Sequence, residues 1–223
     1  MNIRYLTVLV LMITAMSCEN GTPPPDSNAT SLLIVNGKIS NWTLGDSMII
    51  RAYNVDYPLS PADSNFIFGS SQVHKDGSFS ILLRQPSPKV YTGGYSYRNF
   101  WHPDSTWVIS DSNAQYYYCF LGVFHQNWQY YKLIGNTNRP GEGFPQSASI
   151  GDYQCYFYFT DRDVSVSGTS TRLSIIPEHE SYNVHLKKGW NRDKNIILSR
   201  SETIITMEET TDNSFQGEYH IQN

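Results

Sequence analysis

The 223-residue chain predicts an all-β fold, an antiparallel β-sandwich of about ten or eleven strands. Three observations carry that reading. Short runs rich in Tyr, Val, Ile, Thr and Phe follow one another along most of the sequence. Gly, Asn, Asp and Ser punctuate them about every 8 to 12 residues. No segment repeats its apolar residues with a helical period.

The clearest strand is Phe79 to Leu83, where Phe79, Ile81 and Leu83 alternate with polar Ser78 and Ser80. It follows His74-Lys75-Asp76-Gly77, which reads as a hairpin turn. Asp163 to Ser167 alternates in the same way, with Arg162 at a second hairpin. Other strands are expected at Leu33 to Ile39, Met48 to Asn54, Trp107 to Ser110, Gln115 to Phe124 and Gln129 to Ile134. The series continues with Tyr153 to Thr160, Tyr182 to Lys187, Asn195 to Leu198 and Thr203 to Glu208.

Ahead of these strands the N-terminus has a different character. Arg4 precedes Tyr5 to Met16, an almost unbroken apolar run well short of the about 20 residues a membrane-spanning helix needs. It ends in Ala15-Met16-Ser17-Cys18, the layout of a signal peptide. The next residues, Glu19 to Ser31, are polar, contain Pro23-Pro24-Pro25 and hold nothing apolar enough to join a core, so they read as a disordered tether. Extended, that tether reaches roughly 40 Å. The predicted organisation is a signal peptide over 1–17, a modified cysteine and tether over 18–31, and one β domain over 32–223.

Several segments resemble known families. Ala15-Met16-Ser17-Cys18 resembles the bacterial lipobox, which implies diacylglyceryl attachment to Cys18, cleavage before it and acylation of the new amine. The rival is an ordinary secretory signal with a chance cysteine. Ile34 to Ile39, Ile49 to Tyr53 and Asp76 to Ile81 resemble, in order, strands of prealbumin-like, Ig-like sandwiches of the carboxypeptidase-regulatory kind. Tyr156 to Thr169 and Tyr182 to Asn191 are similar to segments of uncharacterised bacterial surface lipoproteins. The resemblance implies a lipid-anchored ectodomain of the cell envelope, on the outer membrane, and transfers no catalytic residue. Its implied membrane partner is reached through acyl chains, each buried methylene contributing about 0.8 kcal/mol.

Charge argues against nucleic acid as a partner. The formal net charge is −4, and removing residues 1–17 takes away one base, Arg4, and no acid. The basic residues Lys187, Lys188, Arg192 and Lys194 surround Gly189-Trp190 and read as a solvated turn. There is no Gly-x-Ser-x-Gly, phosphate loop, His-Glu-x-x-His or Cys-x-x-Cys. Consequently no catalytic residue, metal ligand or cofactor is assigned. Glu178-His179-Glu180 with His185 reads as a surface loop, although in an extended segment Glu178 and Glu180 would share a side without His179. Asp161-Arg162-Asp163 offers too few oxygens for calcium, and Arg162 competes for them. Asn136 to Gly143 reads as a long turn.

The distinctive feature is aromatic density, since Tyr91 to Tyr131 holds nearly half of the chain's Phe, Trp and Tyr. Within Gln115 to Phe124, a period of two puts Tyr116, Tyr118, Phe120 and Phe124 on one face and Tyr117, Cys119, Leu121 and Val123 on the other. Tyr153 to Phe159 splits likewise, with Cys155, Phe157 and Phe159 opposite Tyr156 and Tyr158. The second face of each reads as core. Tyr116, Tyr118, Tyr156 and Tyr158 then either cover the sheet beneath a loop such as Ser96 to Asp104, or form a platform for a glycan or an envelope protein. Cys119 and Cys155 both fall on core faces, where a disulfide and two buried thiols fit equally well. With charged residues at 16 % against an average of about 25 %, apolar burial is the expected source of any affinity. The resulting expectation is a binding or adhesion module, not an enzyme. A structural envelope component and a hydrolase with a loop-built site are the alternatives.

Overall fold

The computed structural model describes residues 32–54, 66–86, 95–96, 106–127, 130–138 and 144–222. Cys18 and the rest of 1–31 lie outside them, as do residues 97–105 and 139–143. The described residues form fourteen strands and no helix: β1 (Leu33–Ser40), β2 (Met48–Tyr53), β3 (Ile67–Gln72), β4 (Ser78–Leu83), β5 (Tyr95–Ser96), β6 (Val108–Ile109) and β7 (Gln115–His125), then β8 (Tyr130–Thr137), β9 (Tyr153–Thr160), β10 (Val164–Arg172), β11 (Glu178–Leu186), β12 (Gly189–Arg200), β13 (Ile205–Thr211) and β14 (Tyr219–Ile221).

The all-β expectation holds, while the strand count and the purely antiparallel order do not. Strands β3, β5 and β14 have no predicted counterpart, being two or three residues long or, for β3, polar from Ser70 onward. The sheet is mixed, with β1 parallel to β14 and β11 parallel to β13. The second parallel pair arises because β11 and β12, joined only by Lys187 and Lys188, do not pair with each other. Instead β13 enters between them, parallel to β11 and antiparallel to β12.

Both hairpin readings fail for the same reason. At His74–Gly77 the turn forms, with Gly77 at φ 85° and its amide donating to the His74 carbonyl at 2.8 Å. Its flanking strands then part, β3 pairing with β2 and β4 with β1. At Asp161–Asp163, β9 joins β7, β8 and β12, whereas β10 joins β11 and β6. A short connection therefore marks a change of partner at both places.

The main core gathers Val35 of β1, Ile81 and Leu83 of β4, Ile50 of β2 and Phe68 of β3 against Tyr117, Cys119, Leu121 and Val123 of β7 and Phe157 and Phe159 of β9. These are the faces that alternation assigns to the interior. Gly69 permits the closest approach: a Cβ there would stand 2.3 Å from the Leu82 carbonyl oxygen, so β3 lies directly against β4. Trp190 closes this core, edge-on to Phe68 and Phe159, and donates its indole N–H to the Arg84 carbonyl at 3.2 Å. Of the basic run around it, Lys187 and Lys188 form the exposed turn that was expected, whereas Arg192 and Lys194 belong to strand β12. Arg192 is buried, donating to the Phe215 carbonyl at 2.6 Å, and the Lys194 ammonium lies over the Phe215 ring.

Candidate ligand-binding cavity

The opposite face of the central strands is assembled by register. From β7 through β9, β12, β13 and β11 to β10, residues aligned across the sheet form successive rows on one side. Tyr118 stands opposite Tyr158, and Tyr156 opposite Asp193. Asn195, Glu209 and Tyr182 make a third row, followed by Ile197, Met207, Glu180 and Ser170, then Ile205, Glu178 and Arg172. Alternation along each strand joins the rows. On β11 the same side carries Glu178, Glu180 and Tyr182, then Val184 and Leu186 of a separate small apolar cluster. One face thus changes from carboxylate to aliphatic along a single strand.

Two covers leave a hollow between them. At one end Phe144 and Ala148 pack on Ile197, Ile205 and Met207, while the Arg200 guanidinium holds the carbonyls of Pro145 at 3.1 Å and Ala148 at 2.9 Å. At the other end Trp107 meets the Tyr182 ring edge-on at 4.8 Å. Gly168, at φ 126°, makes room there, since a Cβ would come within 2.5 Å of the Thr106 carbonyl oxygen. The hollow has a volume of about 170 Å³ and is lined by Tyr118, Tyr156, Tyr158 and Tyr182 together with Glu178, Glu180 and Glu209.

Its carboxyls are largely withdrawn from water. Tyr182 donates to Glu180 at 2.6 Å, Asn195 donates to the other oxygen of Glu180, and Tyr158 donates to Glu209 at 3.3 Å. Ser174 donates to Glu178 at 3.0 Å, and Gln146 donates to the same carboxyl. Among the described residues one ion pair reaches this group, from Arg172 to Glu178 at 3.7 Å. Burial, reinforced by the charges of Asp193 and Glu180, pushes Glu209 well above the usual carboxylate range. Burial raises Glu180 too, against the hydrogen bond from Tyr182, and brings Asp193 up to about 7. The phenols of Tyr118, Tyr156, Tyr158 and Tyr182 are all raised, chiefly by burial, and stay protonated as donors.

The four tyrosines singled out in the sequence do come together, three of them, Tyr118, Tyr156 and Tyr158, as walls of this cavity and Tyr116 beside it. Tyr116 and Tyr158 are buried, and Tyr118 and Tyr156 are half-buried. Tyr118 packs against Tyr158 with ring centroids 4.4 Å apart and meets Tyr156 at 89°. An open stacking face is therefore not what they form. Glu178-His179-Glu180 corrects the surface-loop expectation, because it begins β11 and buries both glutamates while His179 points away, bonding Thr171 at 3.3 Å.

Sequence reasoning missed Glu209, Asp193, Asn195 and Tyr182 as members of one site. The available signal was acid at alternate positions within otherwise apolar strands, Ile205-x-Met207-x-Glu209 and Asp193-x-Asn195-x-Ile197. Arg162 bonds Asp161 and Asp111, whereas Asp163 bonds Lys187, so the Asp161–Asp163 pair is divided between partners. Among the described residues no group of three or more His, Cys, Asp and Glu is arranged to hold a metal ion.

Cys119 and Cys155 are free and buried. Cys119 stands opposite Phe157, which places Cys155 diagonally across the β7–β9 ladder. Diagonal neighbours are roughly 7–8 Å apart, too far for the about 4 Å between Cβ atoms that a disulfide requires. The chain matches no family profile, no characterised protein and no solved structure.

Proposed function

We propose that the chain is a lipid-anchored protein of the bacterial cell envelope, held to the outer membrane by acyl chains on Cys18, and that its β domain is a binding module. In this reading the fold is a sandwich in which β1 and β4 close over one face of the central sheet and the other face holds the ligand. The observation that carries it is the convergence of four tyrosines and three glutamates on one hollow of about 170 Å³. Mostly pre-formed cavities with a few convergent polar groups are the ordinary form of a small-ligand site. The ligand is a small polar molecule or the end of a larger envelope component, a glycan or a protein side chain.

The reading is tested with the full lipidated chain in detergent. A chemically mixed library of small polar compounds is screened by thermal shift against the wild type and against Tyr158→Phe and Glu209→Gln. Hits that stabilise the wild type and fail with both variants support the cavity. Hits indifferent to both substitutions remove it. Labelled palmitate entering the wild type but not Cys18→Ala tests the anchor.

One observation favours a second reading, a hydrolase. Carboxyls in unlike surroundings, Glu209 raised by burial and neighbouring charge and Glu180 raised less freely against the Tyr182 bond, are what general acid–base catalysis uses. Product formed from a screened hit, and lost in Glu209→Gln, would favour that reading over binding alone.

A further inference from the structure

Hydrogen-bond accounting in the cavity is one-sided. Four of its donors are already engaged: the hydroxyls of Tyr182 and Tyr158 and the amides of Asn195 and Gln146 all serve carboxyl oxygens. Buried acceptors remain. Asn195 Oδ1 has no hydrogen-bond partner, and Glu178 Oε2 has none beyond the Arg172 guanidinium at 3.7 Å, although their residues are only 7 % and 3 % exposed and both line the hollow. Asp193, beside them on β12 and 1 % exposed, hydrogen-bonds Glu209 and Thr211. Buried acceptors left without donors are rare, because each costs roughly 1–3 kcal/mol.

Charge is one-sided as well. Glu178, Glu180, Glu209 and Asp193 occupy neighbouring rows, yet among the described residues the one ion pair that reaches them is Arg172 with Glu178 at 3.7 Å, and the Arg172 side chain is half exposed. Lys194 and Arg192, although on β12, turn to the Phe215 side of the sheet. Around the carboxyls stand aromatic walls, with Tyr118 and Tyr156 at right angles like two sides of a box and Tyr158 between them. A complementary ligand would bring N–H donors, a positive charge and a small volume. Aromatic faces attract such a group further.

We infer that the cavity takes the ammonium end of a short-chain primary amine, with Glu178, Asn195 and Glu180 receiving its N–H groups and the tyrosine rings enclosing its methylenes. This rests on the cavity being a ligand site, as proposed above. The volume is close to that of an engineered cavity of about 150 Å³ that holds benzene, which suits four to six heavy atoms. A neutral sugar would satisfy the acceptors but leave the charge unmatched. The amine is either free, as a diamine, or carried by a lysine side chain.

Occupation by a cation and protonation of the carboxyls compete. Facing Glu209 are Asp193 from β12, Glu180, Glu178 and Tyr182 from β11, Arg172 from β10, Tyr156 and Tyr158 from β9 and Tyr118 from β7. The tyrosines stay protonated, while burial raises Glu209 and Glu180 and brings Asp193 up to about 7. An ammonium entering the site expels a proton from these carboxyls to solvent. Affinity should therefore rise with pH until the carboxyls are ionised.

Calorimetric titration of the full chain in detergent tests the assignment with n-butylamine, 1,4-diaminobutane, Nα-acetyl-lysine amide, n-butanol and glucose. The expected result is binding of the amines and not of n-butanol or glucose, tightening about tenfold from about pH 6 to about pH 8. Glu178→Gln and Glu180→Gln should each weaken the amines about tenfold or more, whereas His179→Gln, on the other side of β11, should not. Tighter binding of the diamine than of the lysine derivative indicates a free amine, and the reverse indicates a protein side chain. Absence of amine binding, equal binding of n-butanol, or affinity unchanged in both Glu variants overturns the inference. If glucose binds and Tyr158→Phe weakens it, the cavity stands and only the ligand class fails. If no probe binds and the library hits ignore Tyr158→Phe and Glu209→Gln, the cavity reading fails too.

Discussion

The two sides of β7 and β9 are built from the same residue type and behave oppositely. Tyr117 faces inward with Cys119, Leu121, Phe157 and Phe159 and belongs to the main core. Its neighbours Tyr116 and Tyr118 face outward with Tyr156 and Tyr158, toward Glu209 and Glu180. Burial alone does not separate the sides, for Tyr116 and Tyr158 are as hidden as much of the core. What separates them is the set of side chains each face packs against. Inward, β1 to β4 supply aliphatic and aromatic groups; outward, β11 to β13 supply carboxyls. Tyrosine serves both because its ring packs and its hydroxyl donates.

Breaking the inner side should have the largest effect. Phe159→Ala removes a ring that is 1 % exposed and edge-on to Trp190, and large-to-small core changes of this kind cost about 3–5 kcal/mol. On the outer side, Tyr156→Phe deletes one hydroxyl beside the cavity and should change stability by about 1 kcal/mol or less. Denaturant titration of both variants measures the difference. Equal losses would mean that the outer face is core as well and holds no site.

The outer carboxyls should make stability fall as pH rises. A carboxyl whose folded-state pKa lies above its unfolded value stabilises the fold below the unfolded pKa, and that contribution is lost as pH climbs through the folded one. Asp193 goes from 3.8 to about 7, and Glu180 and Glu209 shift in the same direction. The exposed Asp76, Asp111, Asp163 and Asp212 are shifted down by hydrogen bonds and ion pairs, so their effect has the opposite sign and appears only in acid. Stability should be greatest in mildly acidic solution. Asp193→Asn should raise it by about 2 kcal/mol at about pH 8 and flatten the decline. Melting the two proteins across that range checks this; a wild type that grows more stable from about pH 5 to about pH 8 would contradict it.

How much of this contrast was legible depends on the range of the signal. Alternation in Gln115 to Phe124 and Tyr153 to Phe159 is local, and it assigned Tyr117, Cys119, Leu121, Val123, Phe157 and Phe159 to the interior as found. The pleat makes that assignment independent of strand order. Strand order itself is not local. The turn at His74–Gly77 was readable from Asp76-Gly77, yet nothing near it says that β4 leaves β3 for β1. Likewise the gathering of Glu180 and Glu209 depends on β13 entering between β11 and β12. Reading Glu178-His179-Glu180 as a loop followed from its three polar side chains, which only a face already holding Tyr182 and Asn195 can accommodate in a strand.

The smallest expected effect concerns two inner-face thiols, and it separates geometry from compartment. The proposed envelope location would place two buried cysteines where disulfides form, and that favours a bridge. The β7–β9 register opposes it, since Cys119 faces Phe157 and Cys155 is displaced by two residues along the strand. Bridging them would require a shift of register, which would turn Tyr158 and the outer carboxyls out of line. Both thiols should therefore stay reduced, and intact mass after alkylation under denaturing, non-reducing conditions should show two added groups. In the native protein the reaction should be slow. Burial pushes the Cys155 thiol up to about 12 and Cys119 higher still, so neither is a ready thiolate near neutral pH, even before access is considered. Cys119→Ala and Cys155→Ala should each cost only about 1 kcal/mol, because a free cysteine acts as a small apolar group. A mass with no added groups, or a loss of several kcal/mol shared by the two single variants and not increased in the double, would reveal a bridge and overturn the pairing of β7 with β9 on which the cavity is built.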